Sequence, residues 1–171
     1  IVIGHQCELT GGFSSWGYWH DKCAKAAVKI INDGGGIAGR KVKLAIEDTE
    51  SNPAAGSRKL RSLIERRKAS FVVGSVHSGI MLASIPIATE LKTPYFSAGE
   101  ATEATGSKGS RYSFRTGTDT YALAAAGAPW AFKNLGKTWT MIFPDYAWGH
   151  SHHQEHKKLI ESLGGKVNDP I

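Results

Sequence analysis

The stretch Ser70-Phe71-Val72-Val73-Gly74-Ser75-Val76-His77-Ser78-Gly79-Ile80-Met81-Leu82 decides how this chain folds. Residues 70–73 are β-rich, and 74–77 form a short loop of turn-prone character. Ser78 stands where a helix cap belongs, ahead of apolar residues at Met81, Leu82, Ile85 and Ile87. A strand, a short loop and a helix start make up the repeating unit of a parallel α/β sheet. Pro86 is expected to kink this helix or to mark its last turn.

The same unit recurs on either side, with further strands expected at 1–6, 41–47, 94–97, 112–114 and 138–143. Between the first two, Ala24, Ala27, Val28 and Ile31 repeat at helical spacing and Asn32-Asp33-Gly34-Gly35-Gly36 supplies the stop. Asn52 before Pro53 makes a cap and a first helical position, and Leu60, Leu63 and Ile64 give that helix its apolar stripe. Thr118 is expected to cap a helix running to about Lys133, closed by Gly136. A last helix is expected from about Trp148 to Leu163, stopped by Gly164-Gly165, and another strand begins near Val167 and runs toward Ile171. The pattern predicts an α/β, doubly wound parallel sheet.

Composition narrows the function classes. A chain of 171 residues with 41% hydrophobic content can pack a core. No apolar run approaches the ~20 residues of a membrane span. Ile1-Val2-Ile3-Gly4 reads as a strand already under way, so an exported protein would have shed its leader, and the chain is expected to be part of a longer one. The net charge of +6 raises the question of nucleic acid. The densest basic cluster, Arg58 to Lys68, fits the solvated side and last turn of one helix, where cations favour the dipole, so no nucleic-acid partner is expected. Cys7 and Cys23 match no metal or redox spacing; they either pair in an oxidising compartment or remain two reduced thiols.

Three catalytic or cofactor signatures fail on context. Gly34-x-Gly36-x-x-Gly39 matches the dinucleotide string, but it ends a helix and precedes a strand, the reverse of what pyrophosphate binding needs. The glycines read as a helix stop and a tight turn. His150, His152, His153 and His156 sit near the start of the last helix without the order of a zinc-protease motif, and an exposed histidine-rich face is expected. Gly74-Ser75-Val76-His77-Ser78-Gly79 is not a nucleophile elbow. What it offers is a hydroxyl and the Ser78 and Gly79 amides at a helix start, either an anion site or plain capping. The junction after the next strand, Phe96-Ser97-Ala98-Gly99-Glu100-Ala101-Thr102, has small residues that permit close approach to the backbone. Both junctions lie at the carboxyl edge of the sheet, where ligands of open α/β folds bind.

With these segments in order, the sequence resembles the periplasmic binding proteins of the leucine/isoleucine/valine type, the receptors of an ABC transporter class. The resemblance is carried by Ser15-Trp16-Gly17, Ile31-Asn32-x-Gly34-Gly35-Gly36-Ile37-x-Gly39-Arg40-Lys41, Glu47-Asp48 with Pro53, and the segment 74–79. Pro86-Ile87-Ala88, Tyr112-x-Phe114-Arg115-Thr116 and Asp145-Tyr146-Ala147-Trp148-Gly149 continue it. The runs 111–121 and 145–151 look like the branch that takes aromatic or other carboxylic acids.

The resemblance implies a type I periplasmic-binding-protein-like fold of two lobes and about twice this length. Residues 1–116 would be most of the first lobe and 117–171 the opening of the second. It implies an extracytoplasmic receptor that delivers a small carboxylate-bearing ligand to permease subunits, with no catalysis, metal or cofactor; the alternative is a ligand-sensing domain of the same fold. Ser78 and Gly79, with His77 beside them, would form the carboxylate-binding helix start. Ala98, Gly99, Glu100, Ala101 and Thr102 would supply further contacts, and Trp16, Tyr146 and Trp148 aromatic walls. The two tryptophans have an ordinary alternative as core or surface residues. Two departures stand out: His77 replaces a half-cystine of the family, and Glu100 puts a carboxylate into a loop of small residues, where it either meets a cationic group or points outward.

Overall fold

The computed structural model describes residues 1–169, so the end of the run toward Ile171 lies outside the described residues. In chain order the elements are β1 (Val2–Cys7), α1 (Ser14–Asp33), β2 (Lys43–Asp48), α2 (Pro53–Glu65), β3 (Phe71–Gly74), α3 (Ser78–Glu90) and β4 (Tyr95–Ser97). There follow a single 3₁₀ turn at Thr102–Ala104, β5 (Ser113–Arg115), α4 (Thr120–Asn134), β6 (Thr138–Trp139), α5 (Ala147–Ser162) and β7 (Lys166–Val167).

The first five strands form one parallel sheet in the order β2-β1-β3-β4-β5, and β6 and β7 form a separate parallel pair. Because the order reverses between β1 and β3, the loops leaving those two strands diverge and open a crevice at the carboxyl edge. Helices α2 and α3 cover one face of the sheet. Leu60, Leu63, Val72, Met81, Ile85 and Tyr95 close the core between them. Each large side chain buried there contributes roughly 1.5–3 kcal/mol.

Local chemistry explains the element ends. The Asn52 Oδ1 accepts the Ala55 N–H at 3.0 Å, and Pro53 starts α2 as expected. Gly34 is the C-cap residue of α1, and Gly36 (φ +84°) turns the chain so closely that an added Cβ would lie 2.2 Å from the Arg40 carbonyl oxygen. That contact is the physical content of the glycine string. Pro86 lies inside α3, near its last turn.

Several expectations are corrected. The cap of α4 is Asp119, not Thr118: its carboxylate accepts the Ala122 N–H at 2.6 Å while also pairing with Arg115, two bonds a threonine could not match. The cap of α3 is His77, not Ser78. The strand expected at 138–143 stops at Trp139 because its neighbour β7 is equally short and the chain then folds back over the start of α5. There Gly149 packs so close to Pro144 that a Cβ would lie 2.0 Å from its carbonyl oxygen. The histidine face is mostly not exposed: His150 is open and bonds Asp145 at 2.7 Å, whereas His152, His153 and His156 are half-buried. Both cysteines are free. Cys7 is buried with its thiol toward the Gly17 carbonyl, and burial pushes its pKa up to about 12.

Candidate ligand-binding cleft

Phe13 and Trp16 follow β1, Val76 follows β3, and Ala98 and Glu100 follow β4. Tyr146 and Trp148 approach them from the start of α5, and the seven enclose a cavity of about 380 Å³. The volume falls in the range of small-molecule sites, roughly 300–1,000 Å³. Its position at the switch between β1 and β3 is the one the topology favours. A larger hollow of about 730 Å³ runs along the solvent side of α2, lined by Arg58, Arg66, Arg67 and neighbours, with Lys59 and Arg67 bridging to Glu47. Every residue that lines it is polar or charged, and it lies on the solvent side of α2, so the smaller cavity with its aromatic lining is the better site.

The aromatic wall is continuous. Phe13 meets His77 edge-on at 4.7 Å and Tyr146 at 5.5 Å between ring centroids, and Tyr146 lies nearly parallel to Trp148 at 6.2 Å. Trp16 remains 61% exposed at the mouth. The Trp148 indole N–H donates to the Glu100 carboxylate at 2.7 Å, joining α5 to the loop after β4. Glu100 is the charged member of the lining. Burial, and then the Glu100 charge, raise the Tyr146 phenol above its ordinary value.

Behind this wall the loop is held by side chains that sequence reasoning had placed in contact with a ligand. Ser78 is fully buried, and its Oγ accepts the Glu100 N–H at 3.1 Å and the Ala101 N–H at 3.2 Å. The His77 Nδ1 accepts the Gly79 N–H at 3.1 Å and the Ile80 N–H at 3.3 Å, so the imidazole occupies the helix start that had read as an anion site. Accepting at Nδ1 requires that nitrogen to be unprotonated, and burial lowers the His77 pKa in the same sense, with the nearby Glu8 charge opposing. Gly99 and Ala101 are buried under the loop, and a Cβ on Gly99 would press on Met81. The Thr102 N–H reaches the Ser151 Oγ at 3.1 Å. Thr120 bonds both Thr102 and Ser151 at 2.7 Å, and the Ser151 hydroxyl donates to Glu103 at 2.9 Å. Those bonds tie α4 and α5 to the first sheet.

Of the expected site residues, then, Trp16, Ala98, Glu100, Tyr146 and Trp148 line the cavity. His77, Ser78, Gly79, Gly99, Ala101 and Thr102 support it from behind. Phe13 and Val76 line it unforeseen. Gly11-Gly12-Phe13 leads from β1 into α1 just as 74–77 leads from β3 into α3, and that parallel was the available signal.

An open parallel α/β sheet with an aromatic cleft at its switch point, bordered on the far side by the start of α5, is the arrangement in which open α/β folds hold ligands. The chain belongs to the periplasmic binding protein family, whose model matches residues 1–171. It is similar to the "Leu/Ile/Val-binding protein homolog 1" of Brucella abortus, 27% identical over 97% of this chain and 45% of that protein. Among solved structures it resembles a periplasmic binding protein of Burkholderia mallei, with TM-score 0.87 and 25% identity over all of this chain and 46% of the other. It also resembles a Rhodopseudomonas palustris ABC-transporter solute-binding protein in complex with 3,4-dihydroxybenzoic acid, with TM-score 0.86 and 26% identity over all of this chain and 46% of that one. The chain thus spans a little under half the length of these relatives.

Proposed function

We propose that the chain forms one flank of the cleft of an extracytoplasmic solute-binding receptor. The receptor delivers a small carboxylate-bearing solute, an amino acid or an aromatic or other organic acid, to the permease subunits of an ABC transporter. In this reading residues 1–116 belong to a first lobe and 117–171 open a second, and the site binds and releases without making or breaking bonds. The observation that carries it is the cavity of about 380 Å³ between the loops after β1, β3 and β4 and the start of α5, with aromatic rings on both sides. Trp16 and Trp148 supply large rigid contact area, and Tyr146 and Phe13 continue the wall. His77, Ser78 and Gly79 serve the solute through the loop they hold. The Gly79 amide donates to the His77 ring and the Glu100 and Ala101 amides to the Ser78 hydroxyl, so the solute's carboxylate draws on other groups of the cleft.

The test is mass spectrometry of small molecules released on denaturing the intact protein as purified. The expected result is one dominant organic acid of a size that fits the cavity. Release of a nucleotide or a sugar phosphate, or of nothing at all, would overturn the reading.

A further inference from the structure

Glu100 departs from the aromatic and apolar character of the cavity around it. The lining otherwise consists of Phe13, Trp16, Tyr146, Trp148, Val76 and Ala98, with no basic side chain among the described residues. No ion pair among the described residues reaches the Glu100 carboxylate, whose only side-chain bond there comes from the Trp148 indole N–H at 2.7 Å. Two basic groups stand near it and form no ion pair with it: Arg115 bonds the backbone carbonyls of Glu100 and Ala101 and pairs with Asp119 at 2.7 Å, and His152 packs on Trp148 at 4.3 Å with its pKa lowered chiefly by burial, the Glu100 charge opposing.

The surrounding rings reinforce its sign. An aromatic face is the negative part of the ring quadrupole and attracts a cation within about 6 Å of its centroid. Tyr146 and Trp148 lie nearly parallel with their centroids 6.2 Å apart, and both border the cavity that Glu100 enters. A carboxylate beside such faces, with no ion pair of its own, disfavours a ligand whose only charge is negative and favours one bearing a positive nitrogen.

We propose that Glu100 is the specificity-determining residue of this cleft and that the solute presents a cationic nitrogen, an ammonium or alkylated ammonium, to Glu100 among the rings of Tyr146, Trp148 and Trp16. The proposal rests on the receptor reading above and sharpens it, because it selects solutes with a positive nitrogen over simple aromatic acids. The Trp148 bond leaves one carboxylate oxygen of Glu100 for the ligand and fixes the other, so the acid is oriented before the solute arrives.

Three probes of similar size test this on the intact protein, followed by calorimetry and tryptophan fluorescence: benzyltrimethylammonium, phenylalanine and benzoate. Expected is binding of the first two, with benzoate at least about tenfold weaker. Glu100→Gln keeps an oxygen for the Trp148 N–H, so the loop should hold. This variant should weaken benzyltrimethylammonium by roughly tenfold or more and leave benzoate unchanged or tighter. Trp148→Phe, which keeps a ring but loses the N–H, should retain the preference for the cation. Benzoate binding as tightly as the other two, or Glu100→Gln shifting all three probes alike, overturns the proposal while leaving a solute-binding receptor in place. If no probe binds and the purified protein releases no small molecule, the receptor reading itself fails.

Discussion

The two faces of the five-stranded sheet are built to different standards. On the face under α2 and α3, Val72, Tyr95 and Gln6 are fully buried, and the polar groups of Gln6 and Tyr95 are paired. The Gln6 amide donates to the Gly56 carbonyl at 2.8 Å and the Ser84 hydroxyl at 3.0 Å, and the Tyr95 hydroxyl donates to the Gln6 Oε1 at 2.6 Å. On the opposite face, α1 lies over β1 and β2. Phe71, Phe96 and Phe114 form a ladder across β3 to β5, with centroids 6.0 and 4.9 Å apart, half-buried and ending on a Phe114 that is 43% exposed. Parallel sheets are normally covered on both faces. Among the described residues the tightly packed core therefore lies on one side of the sheet, and the other side, beyond α1, presents partly exposed aromatic rings.

The comparison is broken most directly by truncating one residue on each face. Leu63, with no exposed surface between α2 and the sheet, should lose about 2–5 kcal/mol on Leu63→Ala through lost burial and the cavity left behind. Phe114→Ala should cost well under half of that, because the ring keeps much of its contact with water in the native state. Urea titration of both variants measures the difference. Equal losses would mean that the exposed-looking face is packed in solution.

The comparison sharpens at the carboxyl edge, where the covered face meets the cleft. Ser78→Ala removes the acceptor of two amides in the loop after β4 and should destabilise by about 1–3 kcal/mol. Hydrogen exchange should quicken at Glu100 and Ala101 and stay slow at Val72 in the core. A uniform rise in exchange would show that the serine supports the whole unit and not that loop.

The alternation of strands and amphipathic helices was legible because each element carries its own local signal. Asn52-Pro53 marks a helix start, Gly36 marks a turn, and β1 to β4 came within two residues of their observed ends. What escaped depends on contacts distant in sequence. The 138–143 strand looked intrinsic, but a strand needs a partner of equal length, and β7 offers two residues. The cap of α3 went to Ser78 by composition, whereas the backbone turned His77 inward and left the serine to bond a loop 22 residues on. Trp16, Tyr146 and Trp148 could be placed near the cleft through the family resemblance of the runs 15–17 and 145–149 that carry them. The bond between Trp148 and Glu100 joins the start of α5 to the loop after β4, and no pattern within either one announces it.

The smallest expected effect is a pH dependence at the same edge. His77 caps α3 through an unprotonated Nδ1, and burial lowers its pKa from the value near 6.5 that it has in an unfolded chain. Where the folded pKa lies below the unfolded one, the unfolded state takes up the proton first. Stability is therefore intact above about pH 6.5 and is lost as the pH falls through the window between that value and the depressed folded one. His5 and His152, lowered chiefly by burial, add slopes of the same sign, so the His77 share must be isolated by substitution. His77→Asn supplies another capping side chain that does not titrate, and it should leave stability at pH 7.5 within about 1 kcal/mol of the parent. Between pH 7 and 5 the melting temperature of the variant should fall less steeply than that of the parent. A parallel pair of curves would mean that His77 keeps its proton equilibrium unchanged on folding, and the cap would then owe nothing to its buried, neutral state.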